Sequence, residues 1–387
     1  MFWNVENFFD WRNDSTTVSD VEFSAKGERH WTWKRFQAKA NAFAKALFWV
    51  EAETGHLPDI VGLEEVENAF VLRQVLQKTA LRKLDYKYVH FDSPDRRGID
   101  VALLYRTSRL ELLDSKPCHL FAADTVMATR DILLCVFKRA GTPILSDPST
   151  SVMPDPISSV MPDSISSVMP DPISSVMPDP DRASISPFQE IPGQAGNDGK
   201  GRAGNSGAFA VLVNHHPSKY GGASESEPRR RIAVERLRFL ADSLAAIGID
   251  RIIAGGDFND TPDNPVFRLL EPVLLPLHKD LFRRGIGTIK YDGKWDLIDH
   301  IYVSPALFAV PMPAAALDSS SGEVDRPADK VGAPSARARM RILRIPFLLT
   351  RDTVHSGDKP LRTYTGPRHT GGVSDHLPVL LEVMFPP

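Results

Sequence analysis

Apolar residues recur along this chain with two periods. Over 35–49, Phe36, Ala40, Phe43 and Leu47 fall on one face of a helix, and 69–80 and 230–246 carry similar stripes. Short β-branched and apolar runs at 1–5, 59–63, 87–91, 99–106, 129–138, 208–214, 251–255, 297–303, 343–349 and 377–384 predict strands. That many strands with few helices between them predict two sheets packed together with helices outside, rather than a purely parallel doubly wound sheet.

The pattern stops at 141–207. Ser-Val-Met-Pro-Asp-Pro-Ile-Ser at 151–158 recurs from Ser159, Ser167 and Ser175 with small changes, and Gly/Asn/Ser-rich sequence follows to about Ser206. Of the 31 prolines, 11 lie in 141–207, a density that opposes both helix and sheet and predicts a largely disordered, partly polyproline-like segment. A stacked solenoid is the competing reading, but units this rich in Pro, Asp and Ser bury too little to stack. Both flanks read as strands, so the repeat is expected to be an expanded hairpin loop inside one domain spanning 1–387. A second loop is expected at 317–337, where Ser, Asp, Pro and Ala replace any apolar period.

Composition narrows the class. At 42% apolar and 25% charged, with no apolar run near the eighteen or so residues a membrane span needs, the chain reads as globular, without stable membrane insertion. A net charge of -3 argues against the broad phosphate grip of a sequence-independent nucleic-acid binder. Arg229-Arg230-Arg231 with Lys219 offer a local basic rim, though arginines at a helix start more often form a solvated face. Cys118 and Cys135 have neither zinc nor disulfide-framework spacing and are expected to be buried thiols. Met1 is followed by no basic head or apolar signal region, which predicts a cytoplasmic protein for the chain as given. A first strand that begins at the initiator methionine leaves an upstream start, and with it a secreted or periplasmic location, as the alternative.

The chemistry clusters where strands end. Asn4, Glu64-Glu65, Asn214-His215, Asp257-Phe258-Asn259 and Ser374-Asp375-His376 each adjoin a strand candidate, and strand ends gathered at one sheet edge are where sites form in layered α/β proteins. Any one of these acids alone would more often be a solvated loop carboxylate, and any one histidine a structural residue. Together Glu65, Asp257 and Asp375 supply carboxylates, and Asn4 and Asn259 supply amides. Such hard oxygen ligands without thiolates favour Mg2+ or Mn2+ over zinc, and a cation of that kind neutralises phosphate charge. His376 and Asp299-His300 add proton-handling groups. Strand alternation leaves open whether Glu64, Glu65 or Glu67 faces the site. Asp100 is expected to pin a loop, and Arg97 either reaches a substrate phosphate or is a solvated turn residue.

These residues resemble the endonuclease/exonuclease/phosphatase superfamily of DNase I-like nucleases, AP endonucleases, sphingomyelinases and inositol-polyphosphate 5-phosphatases. The likeness runs in order through Trp3-Asn4-Val5-Glu6-Asn7, Gly62-Leu63-Glu64-Glu65-Val66-Glu67-Asn68, Arg97-Gly98-Ile99-Asp100-Val101-Ala102, Asn214-His215-His216-Pro217-Ser218, Gly256-Asp257-Phe258-Asn259-Asp260, Ile298-Asp299-His300-Ile301 and Ser374-Asp375-His376-Leu377-Pro378. It implies a four-layer α/β sandwich with the site at one end of the paired sheets. It implies that Asn4, Glu65 and Asp375 belong to a metal site. Asp257 and Asn259 would orient the attacking water and the phosphate, Asp299 would hold His376, and His215 would bind phosphate or protonate the leaving group. Arg97 and Lys219 are the candidate substrate contacts. Water would attack phosphorus directly, without a covalent intermediate. The activity implied is that of a phosphodiesterase or nuclease, with nucleic acid the favoured substrate and a monomer expected. Inositol phosphates or sphingolipids are the alternative substrates. A non-catalytic or decayed relative is a further alternative, set against the presence of every expected acid, amide and histidine.

Overall fold

The computed structural model describes residues 1–13, 17–141, 207–219, 222–308 and 338–384. The repeat of the expected hairpin loop and the loop expected at 317–337 lie outside the described residues. Two six-stranded mixed sheets carry the fold. Their strands are β1 (Phe2–Phe8), β2 (Ile60–Val66), β3 (Tyr86–His90), β4 (Asp100–Arg106), β5 (Leu110–Cys118), β6 (Ile132–Arg139), β7 (Phe209–His215), β8 (Ile252–Asp257), β9 (Leu275–Pro276), β10 (Asp299–Val303), β11 (Ala338–Ile342) and β12 (Val379–Val383). One sheet runs β11-β12-β1-β2-β4-β3 and the other β9-β10-β8-β7-β6-β5. The main helices are α1 (Trp33–Thr54), α2 (Ala69–Lys78) and α3 (Ala223–Ala246).

Burial shows the layering. Phe36, Phe43 and Leu47 of α1 and Val71 and Val75 of α2 pack on Trp3, Val5 and Leu63, the outer face of the first sheet. Val234, Leu237 and Leu244 of α3 cover Leu134, Leu212 and Ala254 of the second. Between the sheets, Phe2, Leu103 and Val379 meet Leu133, Val211, Ile253 and Ile301. The result is helix, sheet, sheet, helix, the expected four-layer sandwich. It explains why β4 and β7 read as unbroken apolar runs: strands covered on both faces have no polar side to show. The sheets meet closely at Phe2, whose ring fills the space over two glycines. A Cβ on either Gly62 or Gly255 would stand 2.5 Å from it.

Several boundaries differ from the expected ones. β5 was not anticipated, because an edge strand with Glu111, Asp114, Lys116 and Pro117 lacks a clean apolar period. The run at 343–349 is no strand over most of its length. Pro346–Leu348 form a 3-10 turn, and the pairing with β12 is made by Ala338–Ile342. α3 begins at Ala223, not at 230, and carries Pro228 in its second turn, where the missing N–H costs the helix one intrahelical hydrogen bond. Arg229 and Arg231 are solvated as expected, whereas Arg230 is buried against Asp260, with its Nε 3.1 Å from the carboxylate. Among the described residues no helix is long and apolar enough to cross a membrane. Both cysteines are buried and free.

Candidate active site

Pairing direction collects the polar strand ends on one edge. β1 runs parallel to β2, and β7 parallel to β8, and Asn4 on β1 reaches Asp257 at the end of β8 while Phe2 meets Gly255, so the carboxyl ends of the two pairs come to one edge. β10 is antiparallel to β8 with Asp299 opposite Asp257, and β12 is antiparallel to β1, which brings the residues preceding it, Asp375 and His376, to the same edge. The site therefore takes one half from each sheet.

Strand alternation explains which side chains look inward. Asn4 shares the intersheet face with Phe2, and Glu64 shares it with Gly62. Glu65 should then face the helices. A register shift between Glu64 and Val66 and a φ of 67° at Glu65 turn it toward the edge instead. Glu6 (46°), Asn7 (50°) and Asn259 (52°) also have positive φ, so strained backbone gathers around this one site.

Asp257 is the hub. Its Oδ2 accepts from Asn4 Nδ2 at 3.0 Å and Asn259 Nδ2 at 3.2 Å, and its Oδ1 from the Asn259 N–H at 2.8 Å. His215 Nε2 lies 3.6 Å and His376 Nε2 3.9 Å from Oδ2. Burial pushes the Asp257 carboxyl up to about 7, against the opposing pull of His376. His376 Nδ1 contacts Asp299 at 2.9 Å. Burial alone would lower the imidazole pKa, but the Asp299 charge and hydrogen bond, with Asp257 and Asp375, hold it well above the usual value. Its backbone is pinned too: Trp3 Nε1 donates to its carbonyl at 3.0 Å, and its N–H donates to Ser374 Oγ at 2.9 Å. His215 is the opposite case, driven well below its usual pKa by burial and then by Arg130 and Arg97, so it stands neutral.

Glu65 lies beside this group. Its Oε2 accepts the Asn7 N–H at 2.7 Å, while its Oε1 faces His215 Nε2 at 3.9 Å and Arg97 Nη2 at 3.7 Å, both beyond hydrogen-bond reach. With its Oε1 outside any hydrogen bond among the described residues, Glu65, together with the Asn4 amide oxygen and the partly open Asp375, supplies the hard oxygen donors that suit a divalent cation. Asp257, Asp299 and His376 also offer ligand atoms within 4.8 Å of one another, but the His376–Asp299 hydrogen bond already accounts for that closeness.

All eight residues expected to form the core of the site, Asn4, Glu65, His215, Asp257, Asn259, Asp299, Asp375 and His376, are linked by these contacts or by His376 Nε2 to Asp375 Oδ1 at 3.9 Å. Arg97 reaches the rim at Glu65. Lys219 is taken by Asp260 at 2.7 Å and is not drawn into the group. Asp100 pins its own loop, accepting from the Ser93 N–H at 2.8 Å and contacting His90 at 3.1 Å.

Sequence reading missed three residues, Arg362, Lys39 and Arg130, and left Glu64 open as an alternative to Glu65. Arg362 Nη2 pairs with both Asp375 and Glu6 at 3.0 Å. Lys39, buried in α1, donates to the Glu6 carbonyl and to Thr363 Oγ1, the latter at 2.9 Å. Its position three after Phe36 and four before Phe43, on the apolar stripe, was the available signal. Arg130 bridges two loops. Glu64 is wholly buried with no hydrogen bond to either oxygen, and burial followed by the Asp299 and Asp257 charges holds its carboxyl well above the usual range.

A family profile described as Endonuclease/Exonuclease/phosphatase family matches residues 1–144 and 200–384, leaving out 145–199, most of the repeat segment. No curated protein matches the chain. Similar solved structures include an endonuclease/exonuclease/phosphatase family protein from Bacteroides thetaiotaomicron, 15% identical, covering 98% of this chain and 94% of its own with a TM-score of 0.47. A mannosyl-6-phosphatase from the same organism is 13% identical, covering 99% and 98% with a TM-score of 0.47. The human Nocturnin catalytic domain with bound sulfate is 16% identical, covering 82% and 87% with a TM-score of 0.43.

Proposed function

This chain belongs to the endonuclease/exonuclease/phosphatase family, whose members are phosphoester hydrolases, and from that premise we propose that it is a divalent-metal-dependent phosphodiesterase of the nuclease type. The observation that carries the reading is Asp257, a buried carboxylate held by two asparagines with two histidines of opposite protonation beside it. Glu65 and Asp375 with Asn4 would hold Mg2+ or Mn2+. The ion supplies neutralisation of phosphate charge and stabilisation of the leaving oxygen. Asp257, poised near neutrality, takes the proton of the attacking water as its oxygen bonds to phosphorus. Asn4 and Asn259 aim the carboxylate. Neutral His215 donates a hydrogen bond to the phosphoryl oxygens, and the P–O bond to the leaving group breaks as that oxygen takes a proton from protonated His376, which Asp299 holds in place. Nucleic acid is the favoured substrate class.

The test is a panel of DNA, RNA, bis-p-nitrophenyl phosphate, p-nitrophenyl phosphate, inositol phosphates and sphingomyelin, with Mg2+ and with EDTA. Cleavage of the diesters that EDTA stops and Mg2+ restores is expected. Folded protein that leaves the whole panel intact would end the proposal, and turnover of the monoester alone would move it to a phosphatase. Asp257→Ala and His376→Ala should each lose about 1,000-fold or more in kcat. Asp257→Ala also leaves three donors without their acceptor, the buried one on Asn4 and two on partly buried Asn259, at a cost of about 1–3 kcal/mol, with the fold retained by circular dichroism.

A further inference from the structure

Arg130 is buried on a segment that enters β6, and among the described residues two acceptors meet it. Nη1 lies 3.1 Å from Asp95 Oδ2 and Nη2 donates to the His216 carbonyl at 2.7 Å, while Nε has no hydrogen-bond partner. Burying a guanidinium is costly, and one carboxylate with one carbonyl is a sparse return for it in stability alone.

What those two acceptors hold is informative. The His216 carbonyl also accepts Asn259 Nδ2 at 2.9 Å, so both of its lone pairs are used, one by Arg130 and one by the amide that aims Asp257. The His216 N–H in turn donates to the Asp257 carbonyl at 2.8 Å. Asn259 has a left-handed backbone, and the direction of its amide is set by the two acceptors it meets, the His216 carbonyl and Asp257 Oδ2. On the other arm, Asp95 Oδ1 accepts the Arg97 N–H at 2.9 Å, which sets the turn from which Arg97 reaches toward Glu65. That turn belongs to the β3–β4 loop of the first sheet, and His216 follows β7 of the second. One planar fork thus ties together the two halves of the site. A lysine, with a single ammonium, cannot serve both acceptors in these directions.

We propose that Arg130 is a positioning residue for the phosphoester hydrolysis inferred above, fixing Asn259 through the shared His216 carbonyl and the Arg97 turn through Asp95. The inference rests on that functional reading. It assigns Arg130 no contact with substrate, so its loss lowers kcat chiefly and moves KM by no more than the few-fold that a loosened Arg97 turn allows.

The experiment uses the full chain with Mg2+ and bis-p-nitrophenyl phosphate, comparing wild type, Arg130→Lys, Asn259→Ala and the double variant. Arg130→Lys keeps the charge and most of the volume, which protects folding. It is expected to lose about 30- to 100-fold in kcat with KM within about threefold. In the Asn259→Ala background the same change should cost no more than a few fold, because the group it positions is gone. In Arg130→Ala, millimolar guanidinium should restore part of kcat where equimolar urea does not. If Arg130→Lys kept wild-type kcat, or raised KM at constant kcat, or lost the same factor with and without Asn259, the positioning role would be overturned while the phosphoesterase reading stood. Inactive wild-type protein would take down both.

Discussion

Replacing His300 by phenylalanine isolates the acid sensitivity built into the second sheet. His300 is fully buried, stacked on Phe258 with centroids 5.0 Å apart and on His278 at 4.2 Å. Burial pushes its pKa from 6.5 down to about 3, although its Nε2 contacts the Leu297 carbonyl at 3.3 Å. The folded pKa lies below the unfolded one, so His300 costs nothing above 6.5. Between 6.5 and about 3 the unfolded chain binds a proton that the folded chain refuses, and stability is lost as the pH falls. At about pH 5 the loss is 1.5 pH units times 1.36 kcal/mol, or about 2 kcal/mol. Wild-type stability alone does not show this, because Glu6 and Asp257, both raised to about 7, gain protons in the folded state over the same range. Those contributions largely cancel in a comparison of His300→Phe with wild type. Urea unfolding in EDTA at about pH 7.5 and pH 5 should therefore show the difference moving by about 2 kcal/mol in favour of the variant, or about 0.7 M in midpoint at a slope of about 3 kcal/mol/M. A difference that stays constant to within about 0.5 kcal/mol would refute the claim that burial keeps this ring neutral.

Two further outcomes follow from the backbone. Gly256 has φ 130°, and a Cβ there would lie 2.1 Å from the Asn214 carbonyl oxygen and 2.8 Å from Glu64 Oε1, so Gly256→Ala should cost about 3 kcal/mol or more by chemical denaturation. Gly55→Ala, with φ 79° and nothing nearby, should cost only about 1 kcal/mol. Deleting 145–206 should leave soluble protein with wild-type kcat/KM, because β6 and β7 already pair from Leu133 with Val213 to Phe137 with Phe209. Insoluble protein would contradict a hairpin closed across that deletion.

The sandwich was legible because β4, β6, β7 and β8 are covered on both faces and so write themselves as continuous apolar runs. The core of the candidate site was legible because its members adjoin those runs in a recognisable order. Glu65 was less so. Alternation along β2 would turn it away, and only the bulge, which has no apolar signature, brings it round. Arg130 and Arg362 were invisible for a different reason. Each acts on partners far along the chain, Arg130 on His216 and Arg362 on Glu6, and nothing local to either residue encodes those meetings. β5 was lost because an edge strand need not hide its polar side.

The meeting of Phe2 with Gly62 and Gly255 acquires a second meaning once the site is seen to draw its halves from opposite sheets. Asn4 and Glu65 ride on one sheet, and Asp257, Asp299 and His215 on the other, so the thickness of the hydrocarbon between them is also the calibration of the reacting groups. In such a molecule a purely apolar change two residues from Asn4 acts as a change of focal length. It alters the distance over which a carboxylate and an amide must cooperate while every polar residue remains in place.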